Sequence, residues 1–170
     1  MEEVTKVAIC LCIDDDESVL LAKRKTGFGA DKLFGADKLI GPSGEIRLGE
    51  KPDEAAIQRL WEESHLTGKA EDLKQVALLY IYFQNALRFT CYVYTLHKWQ
   101  GKPQETPGTK KAEMYKFSKL PFGTSDMCAG DQKWLPRVLM GGQVITAHVY
   151  YDDKGTRLDD FDYENATFKQ

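Results

Sequence analysis

The segment from Gly44 to Leu66 constrains the fold more than any other part of this sequence. It begins with a glycine, continues through five residues to Glu50, and then enters a stretch with helical signals. Pro52 suits the first position of a helix, and the acidic pair that follows it favours the positively polarised end. The pattern therefore predicts a helix over residues 52–66, which Gly68 can terminate.

The predicted helix carries two different faces. Apolar side chains at Ala56, Leu60 and Trp61 form one face, and the adjacent Glu62 and Glu63 form another. Positions 59, 62 and 63 are separated by three and four residues, so their side chains share one side of a helix.

Strand signals dominate the rest of the chain. Apolar or β-rich runs occur at residues 4–13, 19–21, 76–83, 87–96, 114–117, 144–151 and 157–163. Short polar turns predict three hairpins, between the first and second, the third and fourth, and the last two runs. A second helix is predicted from Ser125 or Asp126 to Met140. One early helix among strands indicates a mixed α/β sandwich, and we expect one domain over residues 1–170.

A short duplication lies in the Gly-rich loop before the first helix. Residues 28–33 read FGADKL, and residues 34–39 repeat the same six letters. Two copies are too few for a solenoid. An expanded loop is the better interpretation, because extra loop length adds little closure entropy.

Composition excludes several classes of protein. The net charge of −3 gives no basic footprint for nucleic acid. No apolar run approaches the roughly 20 residues of a membrane span, and the acidic start does not resemble a secretory or transit signal. Four cysteines lack zinc-site spacing, and we expect Cys10 and Cys12 to be core residues. These features predict a cytoplasmic protein that binds neither membranes nor nucleic acid.

The segment described first resembles the Nudix box, whose family pattern is G-x5-E-x7-R-E-U-x-E-E-x-G-U, with U a bulky aliphatic residue. The positions that match in register are Gly44, Glu50, Leu60, Glu62, Glu63 and Leu66. Three fixed positions differ: Gln58 replaces Arg, Arg59 replaces Glu, and His65 replaces Gly.

The resemblance extends along nearly the whole chain to the MutT-like branch that hydrolyses oxidised purine nucleoside triphosphates. Residues 20–29, 120–122, 127–136 and 151–161 carry it. It implies an α+β fold, a Nudix-type α/β/α sandwich with a mixed central sheet. It also implies attack by water on a nucleoside triphosphate, which releases a monophosphate and pyrophosphate.

The resemblance assigns catalysis to Glu50, Glu62 and Glu63, and Mg²⁺ binding to Gly44, Glu62 and Glu63. Mg²⁺ prefers oxygen ligands and neutralises phosphate charge, so the family uses clustered carboxylates. Arg59 in place of Glu reduces the negative charge of positions 59, 62 and 63, so their formal sum changes from −3 to −1.

For a divalent ion ~5 Å from position 59, and an effective dielectric of roughly 20, replacing Glu by Arg weakens the electrostatic attraction by on the order of 10 kcal/mol. The arginine side chain is long enough to turn toward solvent, which reduces the cost. Even a few kcal/mol would weaken metal binding by about a hundredfold. In the family the box Arg pairs with nearby carboxylates; here we expect Gln58 to hydrogen-bond Glu50 instead. Glu45 is a further candidate for reaching a metal.

The resemblance places the substrate pocket at Phe28, Arg24, Asp131 and Trp134. Relatives stack the base on a Trp and bind its edge with two Asp residues, but residues 128–131 here read CAGD, which keeps only Asp131. Ile40 stands where relatives have an Asn that bonds the base. Arg24 lies in the basic stretch 23–25, and either a phosphate contact or a solvated strand end explains it.

Three functions remain open at this stage. The preferred hypotheses are a nucleotide-binding protein with impaired or no pyrophosphatase activity, and a scaffold or assembly subunit that contacts a protein partner. The alternative is an active Mg²⁺-dependent hydrolase of oxidised purine nucleoside triphosphates, in which Glu50, Glu62 and Glu63 work as in the family.

Overall fold

The computed structural model describes residues 4–26 and 36–169, and within them it has nine strands and two α-helices. The strands are β1 (Thr5–Cys12), β2 (Ser18–Lys23), β3 (Leu39–Ile40), β4 (Ser43–Glu45), β5 (Lys74–Phe83), β6 (Ala86–Leu96), β7 (Glu113–Lys116), β8 (Ile145–Tyr151) and β9 (Leu158–Asn165). The helices are α1 (Pro52–Ser64) and α2 (Asp131–Leu139).

The central sheet is mixed and has the order β4-β1-β6-β5-β8-β9. Strand β1 is parallel to β6 and β5 is parallel to β8, whereas the other neighbours are antiparallel. A small second sheet has the order β3-β2-β7. Neither parallel pair is joined by a hairpin, because parallel strands need a long crossover connection.

The two helices lie on opposite faces of the central sheet. On one face, Ala56 and Leu60 of α1 pack with Ala8 and Cys10 of β1. On the other face, Trp134, Leu135 and Val138 of α2 join a larger apolar cluster with β5, β8 and the small sheet. The predicted α+β sandwich with a mixed central sheet is therefore confirmed.

The first predicted hairpin is wrong. Strands β1 and β2 both form, but they meet only at the isolated bridge between Ile13 and Val19 and belong to different sheets. Both edges of β1 are already paired, one with β4 and the other with β6, so no edge remains for β2. The acidic turn still redirects the chain, because the Asp14 carboxylate accepts hydrogen bonds from the Asp16 and Ser18 amides.

Helix α1 ends two residues earlier than expected. It stops at Ser64, and His65 adopts the left-handed conformation (φ 62°) with its amide bonded to the Trp61 carbonyl. His65 thus takes the terminating role at the position where the Nudix box has glycine, and Gly68 is not needed for it. Trp61 is 46% exposed, so it does not belong to the buried face.

Helix α2 also begins later than predicted, at Asp131 and not at Ser125 or Asp126. The preceding segment is held against β3 instead, since the Asp126 carbonyl accepts a hydrogen bond from Leu39. The Thr124 hydroxyl accepts one from the Asp126 amide and closes a local turn.

The two remaining hairpins are confirmed: β5 pairs with β6, and β8 with β9. Cys10 and Cys12 are buried, as expected. The first FGADKL copy and the start of the second lie outside the described residues. In the part of the chain that is described, no helix is long and apolar enough to cross a membrane.

Candidate functional site

The three box glutamates lie beside the C-terminal half of α1, where the loop of residues 45–51 and the end of β2 approach the helix. Glu62 and Glu63 project from the helix and Glu50 from the loop. Each is bound to at least one guanidinium group.

Arg59 is the buried centre of this cluster, with its side chain 4% exposed. Its two terminal nitrogens contact the two carboxylate oxygens of Glu50 at 3.2 and 3.0 Å. One nitrogen also donates to the Glu45 carbonyl at 2.7 Å, and the other to Glu62 at 3.3 Å. Arg59 therefore fastens the loop to the helix, and the expectation that it turns toward solvent is wrong.

The position of the Arg59 side chain also explains why residue 44 is a glycine. Gly44 lies in β4, and a Cβ atom added there would lie 2.6 Å from Cδ of Arg59. The stem of Arg59 thus occupies the space that any other residue at position 44 would need. The glycine assigned to metal binding lies under an arginine side chain.

Glu62 is held from the opposite direction by Arg47. The two side chains form a two-point pair, with both nitrogen–oxygen distances 3.1 Å, and Arg47 is 62% exposed. Gln58 also donates to Glu62, at 3.2 Å. Gln58 therefore bonds Glu62 and not Glu50, because Arg59 already occupies Glu50.

Glu63 points away from that pair, toward the end of β2. Arg24, whose side chain is 4% exposed, donates to one of its oxygens at 3.0 Å. The Thr109 hydroxyl lies 2.9 Å from the other oxygen. Arg24 thus belongs to the carboxylate cluster, whereas its neighbour Lys25 pairs with Glu105.

These pairs lower the proton affinity of the two glutamates that Arg47 touches. Burial alone would raise the pKa of Glu50, but hydrogen bonds from the Arg47 amide and the Arg59 guanidinium outweigh it and lower the pKa. The pKa of Glu62 is also below its ordinary value: burial acts against this, and hydrogen bonds from Arg47 and Gln58 dominate. Both side chains are anionic at neutral pH.

The cluster does not fit a divalent cation as it is arranged. Each carboxylate oxygen of Glu50, Glu62 and Glu63 accepts at least one hydrogen bond. Three glutamates face three arginines, so the formal charges cancel. Glu45 is exposed and contributes only its backbone carbonyl. Within residues 4–26 and 36–169, no three His, Cys, Asp or Glu side chains converge to hold a metal ion.

Asp131 and Trp134 lie together at the start of α2, in a site separate from the glutamate cluster. The Trp134 indole N–H donates to the Asp131 carboxylate at 3.1 Å. Both line a small cavity of about 40 Å³, with Ile40, Met127 and other apolar residues. Ligand pockets are commonly roughly 300–1,000 Å³, so a purine base does not fit without movement. Phe28, the remaining predicted pocket residue, lies outside the described residues.

An open groove of about 730 Å³ adjoins this cavity. Met127 and Cys128 line both spaces. Methionine has three rotatable bonds and adapts its shape readily. A different rotamer of Met127 would therefore change the shape of both spaces.

Burial raises the pKa of Asp131 to about 7, although the indole of Trp134 opposes the shift. We expect the protein to lose stability as the pH rises from about 4 to about 7, because the folded carboxyl keeps its proton after the unfolded one has lost it. Asp131→Asn removes this loss. Relative to the unmodified protein, the variant should gain about 2 kcal/mol between pH ~4 and ~8, a value that allows for partial solvent screening. Urea unfolding at both pH values measures it, and equal pH dependence in the two proteins would contradict it.

Sequence reasoning missed two residues of the glutamate cluster. Arg47 lies three residues before Glu50, and that spacing within a tight loop is the signal that was available. Thr109 comes from the loop before β7. No short-range pattern connects Thr109 to Glu63, 46 residues away.

Comparison with known proteins is consistent with this fold. The sequence pattern of the NUDIX domain matches residues 4–138. An oxidized purine nucleoside triphosphate hydrolase from Danio rerio is 30% identical over 122 residues, which is 71% of each chain. The structure of a mutator MutT protein from Bacillus halodurans aligns with a TM-score of 0.72 at 20% identity, covering 95% of this chain and 98% of that one. A MutT protein from Methanosarcina mazei Go1 aligns with a TM-score of 0.64 at 13% identity, covering 83% and 96%.

Proposed function

Because the chain belongs to the Nudix hydrolase family, we propose that it binds a purine nucleotide and does not hydrolyse it at the rate of an enzyme. The observation that carries this proposal is the position of Arg59. Its buried guanidinium bonds two of the three glutamates on which metal-dependent hydrolysis depends in the family.

Burial of Arg59 makes its displacement by a metal ion costly. Arginine keeps its charge at all accessible pH values, so Arg59 cannot become neutral to admit a metal. It is fixed by four hydrogen bonds and cannot leave without unpairing Glu50. Removing one partner from a buried pair costs about 3–5 kcal/mol, which would be subtracted from the binding energy of the ion.

Nucleotide binding is supported by the cavity at the start of α2. Asp131 and Trp134 combine a carboxyl, which is protonated for part of the time at neutral pH, with an aromatic ring beside an apolar cavity. Such a carboxyl both donates and accepts hydrogen bonds, as the edge of a base requires. The relative from Danio rerio is named for purine nucleoside triphosphates, so this is the ligand class to test.

An active hydrolase is the second candidate, and the exposure of Arg47 favours it. Exposed ion pairs contribute roughly 0–1 kcal/mol, so a divalent ion would displace Arg47 from Glu62 at little cost. Arg59 would then still neutralise Glu50. This candidate predicts weak hydrolysis that rises when Arg47 is replaced by Met.

The deciding experiment pairs binding with turnover. Thermal unfolding is measured with dGTP, 8-oxo-dGTP and dATP, in Mg²⁺ and in EDTA, and pyrophosphate release is measured in the same samples. We expect one nucleotide to stabilise the fold in EDTA as well as in Mg²⁺, with no release above background. Asp131→Asn should reduce the stabilisation, and the exposed Lys133→Gln on the same helix should not.

Two results would contradict the proposal. Turnover at a typical enzyme rate, on the order of 1 s⁻¹ or faster, would establish the active hydrolase instead. Absence of stabilisation by every nucleotide would leave the scaffold hypothesis as the better account of the fold.

A further inference from the structure

Helix α1 packs on one face of the central sheet but contacts only half of the strands of that face. It packs on β1, β4 and β6. The other half of that face is formed by β5, β8 and β9, whose outward side chains are half-buried or exposed. In the described part of the chain neither α-helix packs on this half, which we call the uncovered half. It is separate from the glutamate cluster and from the cavity at α2.

Aromatic rings form the inner part of the uncovered half. Tyr80 and Tyr82 of β5 lie opposite His148 and Tyr150 of β8. Ring centroids are 4.7 Å apart between Tyr82 and Tyr150, and 5.2 Å apart between Tyr80 and His148. The Tyr82 hydroxyl is 2.9 Å from Nδ1 of His148. We call these four residues the aromatic face.

A row of acids flanks the aromatic face on β9. Asp160 lies opposite Tyr150 and Asp162 opposite His148. Glu164 is the next residue on the same face and lies opposite Thr146. All three are exposed, and in the described part of the chain none forms an ion pair. Alternate residues of a strand are about 6.6 Å apart, so three negative charges stand in line. We call these residues the acidic row.

The opposite face of β9 shows how an aromatic ring of this strand binds a guanidinium group. There Arg137 of α2 places its guanidinium 4.1 Å from the ring centre of Tyr163 and donates to its hydroxyl at 2.8 Å. Guanidinium groups stack on aromatic rings and pair with carboxylates. The uncovered face has the rings and the carboxylates, and its edge strand β9 pairs only with β8 in the described residues.

We propose that the aromatic face and the acidic row dock an extended, arginine-rich segment of a protein partner. Charge complementarity selects this occupant, because the acidic row repels phosphates, anionic lipids and the same face of a second copy. An extended segment beside β9 turns every second side chain toward this face. The chemistry therefore requires basic residues at alternate positions.

The test uses a labelled peptide in which Arg alternates with Val, and a peptide of the same composition with its arginines in one block. Fluorescence anisotropy with the full chain measures both affinities. We expect the alternating peptide to bind more tightly, with weaker binding as salt is added. Asp160→Asn, Asp162→Asn and Glu164→Gln combined should weaken it by about tenfold or more.

A matched variant separates a local surface from overall charge. Asp15→Asn, Asp16→Asn and Glu17→Gln remove three exposed acids from the β1–β2 turn and change the net charge equally. Affinity of this variant should stay within about twofold of the unmodified protein. Equal weakening in both variants, equal binding of the two peptides, or no binding would overturn the proposal and leave the acidic row as protection against edge-to-edge aggregation.

Discussion

Gln58→Arg combined with Arg59→Glu is expected to raise Mg²⁺-dependent pyrophosphate release by about a hundredfold or more, equivalent to about 2.7 kcal/mol. The exchange changes the formal charge of positions 59, 62 and 63 from −1 to −3 and removes the guanidinium from between Glu50 and Glu62. The new arginine at position 58 supplies a partner for Glu50. Release from dGTP and 8-oxo-dGTP is compared with that of the unmodified protein, in Mg²⁺ and in EDTA.

Two controls show whether the new carboxylate is responsible. Arg59→Gln removes the positive charge without adding a ligand, and it should give much less activity. Glu62→Gln in the doubly substituted protein should abolish the gain. Mg²⁺ alone should also raise the melting temperature of the doubly substituted protein, since it binds the folded state selectively. If the double substitution folds but neither binds Mg²⁺ nor hydrolyses nucleotides, Arg59 is not the cause of the defect.

Arg59→Met should lower the free energy of unfolding by about 3 kcal/mol, because Glu50 loses its partner while the loop loses its attachment to α1. The estimate is at the lower end for buried pairs because Glu50 is 23% exposed. In a chain of this size the melting temperature should fall by roughly 6–12 °C. Urea unfolding and calorimetry at neutral pH measure the change.

Arg47→Met is the matched comparison, since it removes the same functional group from an exposed pair. It should cost less than about 1 kcal/mol. Adding Glu50→Gln to Arg59→Met should recover part of the loss, because no unpaired charge then remains beside the methionine. Equal losses in the Arg47 and Arg59 variants would show that burial of Arg59 does not determine its contribution.

The sequence was sufficient for the features that depend on local pattern. Helix α1, the β5–β6 and β8–β9 hairpins and the buried pair Cys10 and Cys12 follow from periodicity and turn residues. The layered arrangement follows from the resemblance carried by Gly44, Glu50, Glu62 and Glu63. In each case the signal lies within roughly two dozen adjacent residues.

The wrong predictions concern contacts between residues that are distant in sequence and meet only in the folded chain. The hairpin between β1 and β2 failed because β4 and β6, distant in sequence, compete for the same strand edges. Arg59 was expected in solvent because its length was considered without the space above Gly44. Arg24 was interpreted as either a phosphate contact or a solvated strand end. The fold buries it against Glu63, 39 residues away, a contact that neither interpretation included.

The parallel pairs at the centre of the sheet determine when this protein can fold during synthesis. Thr5 pairs with Phe89, 84 positions later, and Ala77 pairs with Ile145, 68 positions later. At about 5–20 residues per second, β1 leaves the ribosome several seconds before its permanent neighbour exists. The edge of β1 that later receives β6 stays unpaired for that time, although β4 can already pair with its other edge. Apolar strand surface is therefore exposed in the nascent chain until β6 has been made.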